Sequence, residues 1–254
     1  MKLPKIDCKR TKELIEDFIR NELKNKKAII GLGGGVDSSV VLKLCEESIG
    51  NENILGLILP SSDTLATDVK DAVELAKTLN VEYMIKNIDD ILNSFSKEME
   101  FLNNNKLARG NLSSRIRMNI LYAYSNELNG IVIGTTNKSE WLTGYFTKYG
   151  DGGVDIEPII ELYKTHVKEL AKYMKIPKRI VSKKPSAGLW EGQTDEGELG
   201  IDYETLDKIL YSLENGLDLK EFQPQKVKKV RSLISTTTHK RLPPKHDGVV
   251  YAKK

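Results

Sequence analysis

Cysteine is nearly absent: the 254 residues hold only Cys8 and Cys45, with no C-x-x-C pair. With no export signal, the two read as reduced thiols rather than a disulfide framework. His166 and His246 stand alone, without metal-ligand spacing, which argues against zinc. Long apolar runs are missing. The longest, near Ala28–Leu32, has the length of a buried strand and cannot cross a bilayer, so no membrane partner is expected. The opening Met1-Lys-Leu-Pro-Lys-Ile-Asp7 lacks the apolar stretch of an export signal, so a cytoplasmic location is expected. Repeats and low-complexity segments are absent as well.

What is present is a globular composition, 39% hydrophobic and 30% charged, enough for one sizeable α/β core. The net charge of +3 is unevenly spread. Gln223 to Lys254 carries nine Lys/Arg and one acid, Asp247, so that segment is +8 and the remainder −5. A basic end beside an acidic body suggests an anionic partner, with a solvated helix face and a loose terminus as the plain alternative.

Leu14, Ile15, Phe18 and Ile19 recur at helical spacing. Lys27–Leu32 then reads as a buried strand, Gly31–Ser39 as a glycine-rich turn and Val40–Ile49 as a helix. Asn53–Leu59 and Glu82–Ile88 read as strands around a helix over Thr67–Leu79. Helical stretches near Ile91–Leu102 and Leu112–Leu128 precede a short strand, Gly130–Gly134. Such alternation predicts right-handed βαβ units and a doubly wound parallel sheet. Its ligands bind beyond the carboxyl ends of the strands, here Gly31–Ser38 and Thr135–Glu140. The second half is mostly helical. Its apolar stripes are Val167, Leu170, Ala171, Met174 and Leu206, Ile209, Leu210, Leu213, and a polar Pro185–Gly200 segment between them is long enough for a lid or for disorder.

Gly31-Leu-Gly-Gly-Gly-Val-Asp-Ser-Ser39 joins a strand to a helix, where backbone N–H groups and the helix dipole favour an anion. Asp37 and Ser38 stand where the helix should be capped. A Walker loop needs Lys where Asp37 stands, and a dinucleotide fingerprint needs Gly where Val36 stands, so neither motif fits. An acid beside phosphates makes sense with a cation between them, which assigns Asp37 as a Mg²⁺ ligand. The loop resembles the Ser-Gly-Gly-x-Asp-Ser signature of the PP-loop ATP pyrophosphatases. Those enzymes cleave ATP between its α and β phosphates and hold the departing pyrophosphate in the loop. Gly33 stands where the family has its first Ser.

Further segments narrow the resemblance to the NAD synthetases. Gly110-Asn-Leu-Ser-Ser-Arg-Ile-Arg-Met118 is similar to their GN-x-x-x-R-x-RM segment, and Thr135-Thr-Asn-Lys-Ser-Glu140 to their TxNKxE. Gly144-Tyr-Phe-Thr-Lys-Tyr-Gly-Asp-Gly-Gly-Val-Asp-Ile-Glu-Pro158 contains their TKYGDGG run, the most specific piece. Lys164, Gln193–Gly200 and His239-Lys240 follow in the expected places, so the likeness runs from about Leu14 to Pro244. It implies an adenine nucleotide α-hydrolase-like α/β fold: a doubly wound parallel five-stranded sheet with flanking helices and a helical C-terminal part.

The resemblance also implies ATP-dependent amidation of nicotinic acid adenine dinucleotide (deamido-NAD) with ammonia, the final step of NAD biosynthesis. ATP would be held by Gly31, Leu32, Gly33, Gly34, Gly35, Val36, Asp37, Ser38, Thr135, Lys164 and Ser186. Mg²⁺ would lie on Asp37 and Glu140, with Asp37 and Lys164 carrying the catalysis. Deamido-NAD would meet Arg115, Lys148, Asp155, His239 and Lys240. Arg115 and Arg117 point to different faces of one helix, and Arg115 is the one assigned to the site. Without the family, most of these are ordinary exposed ion pairs, caps and turn residues. Trp141 and Trp190 could stack on rings, with packing or loop anchoring the stronger expectation.

Two alternatives stay open. A PP-loop enzyme acting on tRNA would use the basic Gln223–Lys254 segment for RNA phosphates, although its usual cysteine pair is missing. A nucleotide-binding regulator without catalysis is the other, and the intact Asp37, Glu140 and Lys164 argue against it. No glutaminase unit is expected within residues 1–254, read as a single NAD synthetase domain, so the nitrogen source is free ammonia or a partner's. Family members build the dinucleotide site across a dimer, so a homodimer is expected and nucleic acid is not.

Overall fold

The computed structural model describes residues 2–190 and 192–244. His246 and the basic residues from Lys245 onward lie outside them. In chain order the elements are α1 (Cys8–Leu23), β1 (Lys27–Gly31), α2 (Val36–Ile49), β2 (Ile54–Ile58), α3 (Ala66–Thr78), β3 (Glu82–Ile85), α4 (Asp89–Glu98), α5 (Lys106–Glu127) and β4 (Gly130–Ile133). After them come α6 (Lys138–Thr143), α7 (Lys164–Tyr173), α8 (Lys178–Val181), α9 (Asp195–Leu199), α10 (Tyr203–Glu214), α11 (Pro224–Thr236) and α12 (Thr238–Arg241).

The strands lie in the order β3-β2-β1-β4, all parallel, as alternating βα units require. Alternation along β1 and β2 builds two apolar layers. Ala28, Ile30, Ile54 and Ile58 face a layer shared with α1, α2, α3 and α7. Ile29, Leu55, Leu57 and Leu59 face a layer shared with α4 and α5. A third cluster, around Tyr203, Leu206, Ile209 and Val230, gathers the C-terminal helices.

The expected doubly wound α/β architecture and helical C-terminal part are both present. The sheet has four strands among the described residues, not the five expected. Beside β4 the chain makes one parallel bridge, Ile133 to Ile156. The cause is local. The Asp155 carboxylate accepts the Val132 N–H at 2.8 Å, and the Glu157 carboxylate accepts the Thr136 N–H at 2.9 Å. Side chains thus take bonds that a neighbouring backbone would make, and Pro158, with no N–H, ends the pairing.

Four boundaries differ from expectation by three residues or more. β3 stops at Ile85, α4 stops at Glu98, α5 starts at Lys106, and α2 starts at Val36 instead of Val40.

Candidate active site

β1 ends at Gly31, and the chain turns over the sheet's carboxyl edge into α2. Gly35 is the N-cap of α2, with no side-chain cap. Asp37 and Ser38 are therefore inside the first turn rather than capping it. The hydroxyls of Ser38 and Ser39 donate backward to the Gly35 carbonyl at 3.2 and 2.7 Å. The N–H groups of Val36, Asp37 and Ser38 precede the first intrahelical bond and form an anion-facing end. Gly34 has φ +72, and a Cβ there would stand 2.1 Å from the Asp68 carbonyl oxygen, so only glycine fits. Gly33 is different: a Cβ would meet nothing within 4 Å, so no crowding excludes the family's serine.

Lys164 is the first residue of α7, and its side chain is only 4% exposed. Its ammonium donates to Asp37 Oδ2 at 2.6 Å and Glu140 Oε1 at 3.0 Å. It also lies 5.2 Å from the centre of the Tyr203 ring. Each partner is fixed from behind. Asn137 caps α6 in a reciprocal box with Glu140, and its amide donates to Asp37 Oδ1 at 3.0 Å. Ser139 Oγ accepts the Lys164 N–H and donates to Asp207, whose other oxygen accepts the Thr165 N–H. The buried Asp207 of α10 thereby holds the start of α7, and Lys164 with it.

The centre carries more negative than positive charge. Asp195 adds a third carboxylate. Its Oδ2 accepts the Tyr203 hydroxyl at 2.9 Å, and its Oδ1 is buried without a hydrogen-bond partner among the described residues. Burial pushes Glu140 up to about 8, with Lys164 opposing and the Asp37 and Asp195 charges adding. The Lys164 ammonium is held charged against its burial by Asp37, Glu140 and Asp195. An orphaned carboxylate oxygen beside the half-buried Asp37 and Glu140 carboxylates suits a divalent cation. No group of three acidic, His or Cys side chains among the described residues could hold a metal alone. The donors present fit the Mg²⁺ mode that uses one or two carboxylates and completes its shell from phosphates and water.

These groups line a cavity of about 620 Å³ over the carboxyl ends of the strands. Its wall includes Gly31, Leu32, Gly33, Asp37, Ser38, Thr135, Glu140, Lys164, Ser186 and Lys240, all proposed from sequence. Gly34, Gly35 and Val36 are not among its lining residues. Next to Thr135, the Thr136 N–H donates to the half-buried Glu157 carboxylate, which fits only because residue 134 is glycine: a Cβ there would be 2.3 Å from the carboxylate. Ser186 donates to the Gln193 carbonyl at 2.8 Å, closing the described residues of the 185–195 segment on themselves. Leu189 and Trp190 rest on α5 at Gly110, where a Cβ would come within 3.2 Å of the Trp190 ring. Trp190 is thus a loop anchor, and Trp141 stacks on Phe146 at 5.3 Å.

The residues assigned to the dinucleotide divide. Lys240 reaches the cavity and donates to the Gly144 and Phe146 carbonyls at 2.7 and 2.6 Å. Arg115, Lys148 and His239 form a chain outside it: Arg115 donates to the Lys148 carbonyl at 3.3 Å, and Lys148 to the His239 carbonyl at 2.7 Å. Asp155 lies at the β4 edge, accepting from the Tyr122 hydroxyl and the Val132 N–H. The cavity wall receives Arg117, not Arg115. Arg117 Nε donates to the Leu59 carbonyl at 2.8 Å, and burial lowers its pKa.

Arg117, Asn137, Asp195 and Asp207 are contributors that sequence reasoning missed. The N-x-x-E spacing of Asn137 and Glu140 is a capping-box signal that could have found the first carboxylate support. Asp207, an acid inside the apolar stripe Leu206–Leu210, signals a buried partner. His166 and Cys45 are structural: His166 Nε2 pairs with the Pro4 carbonyl at 2.9 Å, and burial pushes the Cys45 thiol up to about 12.

Comparison with known proteins agrees with this geometry. The NAD synthase family matches residues 9–244. The chain is 47% identical over 246 residues to the NH(3)-dependent NAD(+) synthetase of Pyrococcus horikoshii, covering 93% of each. It is 45% identical over 235 residues to the protein of that name from Thermoplasma volcanium, covering 92% of this chain and 96% of that one. NMN synthetase from Francisella tularensis superimposes with a TM-score of 0.88 at 34% identity, covering 96% of this chain and 100% of that one. For the NH3-dependent NAD synthetase of Campylobacter jejuni the TM-score is 0.83 at 32% identity, over 95% and 99% of the two chains. With a strand–glycine loop–helix cradle, a lysine shared by two carboxylates and matches of this breadth, the chain belongs to the NAD synthase family.

Proposed function

We propose that the protein amidates nicotinic acid adenine dinucleotide with ammonia, at the expense of ATP, giving NAD, AMP and pyrophosphate. The observation that carries this reading is the Lys164 ammonium, held by Asp37 and Glu140 at the mouth of the glycine loop. A carboxylate resists attack by ammonia, so it must first be activated. Its oxygen attacks the α phosphorus, the bond to the β phosphate breaks, and pyrophosphate leaves. Ammonia then attacks the acyl carbon, AMP leaves, and a proton passes to solvent.

Both steps build or release charge on phosphate oxygens, so fixed cations and N–H donors carry the catalysis. The N–H groups of Val36, Asp37 and Ser38 receive the departing pyrophosphate. Lys164 faces the same oxygens as a point charge. Asp37 and Glu140 would hold Mg²⁺, which supplies charge neutralisation on the phosphates. The Thr135 and Ser186 hydroxyls border the nucleotide. Arg115, Lys148, Asp155, His239 and Lys240 serve the acid, and the outer position of Arg115, Lys148 and His239 suits a substrate crossing into a second copy of the chain in a homodimer. Residues 1–254 act as one synthetase domain fed by ammonia, in the cytoplasm. Nothing favours the tRNA alternative: Cys8 and Cys45 form no disulfide, and the Cys45 thiol is buried in the core.

Incubation with ATP, Mg²⁺, ammonium and the deamido dinucleotide is expected to give NAD and AMP in equal amounts. Absence of both products would sink the assignment. Nicotinic acid mononucleotide, offered in parallel, tests the choice of acid, and a preference for it would overturn the dinucleotide part. Glutamine in place of ammonium is expected to give little product, and full activity with it would refute the ammonia reading. His239→Ala is expected to raise KM for the dinucleotide several-fold and leave KM for ATP alone. An effect on ATP alone would contradict the placement of the C-terminal segment.

A further inference from the structure

Lys183 has no part in the chemistry above, yet it joins three elements of the site. Its ammonium donates to the Gly34 carbonyl at 3.1 Å, to Asp68 Oδ1 at 2.7 Å and to Asp71 Oδ2 at 2.6 Å. An ammonium has three N–H donors, and all three are used. Lys183 follows α8 and stands just before Pro185 and Ser186, the root of the segment that covers the cavity. Asp68 and Asp71 belong to the first turns of α3. Gly34 is the left-handed residue of the glycine loop, pressed against the Asp68 backbone.

The consequence follows from peptide geometry. In a trans peptide the carbonyl of one residue and the N–H of the next point in opposite directions, and the chain contains no cis bond among the described residues. A Gly34 carbonyl pinned toward Lys183 turns the Gly35 N–H the other way. A run of three glycines has no side chains to hold that orientation, and free glycine peptides rotate readily. Donors stabilise a developing anion best when they are aimed before it arrives. The two aspartates offset the Lys183 charge locally, so the lysine acts as a strut and not as a phosphate ligand.

We propose that Lys183 is a positioning residue for the pyrophosphate cradle: it fixes the Gly34 peptide so that the Gly35 N–H is presented to the β and γ phosphates, and it ties that cradle to α3 and to the root of the 185–195 segment. The proposal rests on the pyrophosphate-releasing reading given above. The neighbouring Arg179 supplies a control. It donates to Asp71 Oδ1 at 2.7 Å and pairs with Glu74, so it braces the same helix without touching the loop.

Pyrophosphate binding in the presence of Mg²⁺, measured by calorimetry, separates the proposal from the reaction itself. Lys183→Met is expected to weaken pyrophosphate binding and raise KM for ATP by roughly tenfold, the loss of one charge-assisted hydrogen bond. KM for the dinucleotide acid should stay within about twofold. Lys183→Arg is expected to recover most of the loss, and Arg179→Met to bind pyrophosphate as the wild type does. If wild type binds pyrophosphate and Lys183→Met binds it equally, the proposal is overturned while the synthetase reading stands. If Arg179→Met loses binding to the same extent, the effect is a general loosening of α3, and the proposal is again overturned. Wild type that binds no pyrophosphate would remove the cradle, and both readings with it.

Discussion

Asp37→Ala is expected to lower turnover by about a thousandfold or more while the protein stays folded. Asp37 meets Lys164 at 2.6 Å through one oxygen and Asn137 at 3.0 Å through the other. It is the only acid on the glycine loop, so no other side chain there can hold a cation against the departing pyrophosphate. The fold should tolerate the change for an electrostatic reason. The centre holds Asp37, Glu140 and Asp195 against Lys164, and removing one carboxylate reduces the surplus of like charge. Lys164 keeps Glu140 at 3.0 Å, so its ammonium is not left unpaired. Turnover under saturating ATP and a thermal melt check the two halves separately. An unchanged rate would remove Asp37 as a metal ligand. A collapsed melt with lost activity would instead mean that its contact with Asn137 holds the loop in place.

The part of this site that sequence reveals is the part whose chemistry is local. The buried strand ending at Gly31, the glycine run and the acid after it lie within eleven residues, Lys27 to Asp37, and their order alone indicates an anion cradle. The start of α2 is harder to read, because Gly35 caps the helix with its backbone and leaves no side-chain signature. The residues themselves read as four strands, and the fifth is expected from family likeness alone; here Asp155 and Glu157 satisfy the outer edge of β4 through their carboxylates. Arg115 and Arg117 show a different limit. Two-residue spacing on a helix puts them on different faces, but only the packing of α5 against the sheet decides which faces the cavity. Lys164 looks like any solvated lysine before an amphipathic helix. Its burial depends on Ser139 and Asp207, contributed by segments 25 and 43 residues away, and only likeness to a family singles it out in advance.

Lys164→Met should cost both activity and stability, which distinguishes it from the Asp37 change. The methionine removes the only ammonium in contact with Asp37 and Glu140 among the described residues. Breaking a buried pair by removing one partner costs on the order of 3–5 kcal/mol, because the other charge is left uncompensated. Turnover should fall by about a thousandfold, since a fixed positive charge at the phosphates is lost. The destabilisation should depend on pH in a direction that Glu140 sets. Its folded pKa, about 8, lies above the ordinary carboxylate value, so the folded state binds its proton more tightly than the unfolded chain does. Stability from that proton is complete below the ordinary carboxylate range and is lost as pH rises toward 8. Lys164 opposes this by favouring the charged carboxylate, so removing it pushes Glu140 further up and deepens the loss. Without Mg²⁺ or nucleotide, Lys164→Met should therefore melt further below wild type at pH 8 than at pH 5. Adding Glu140→Gln removes the titrating group, so the double variant should regain most of the melting temperature at pH 8 and none of the turnover. Equal melting deficits at the two pH values in the single variant would show that the lysine is held for packing against Tyr203 and not for the charge it supplies.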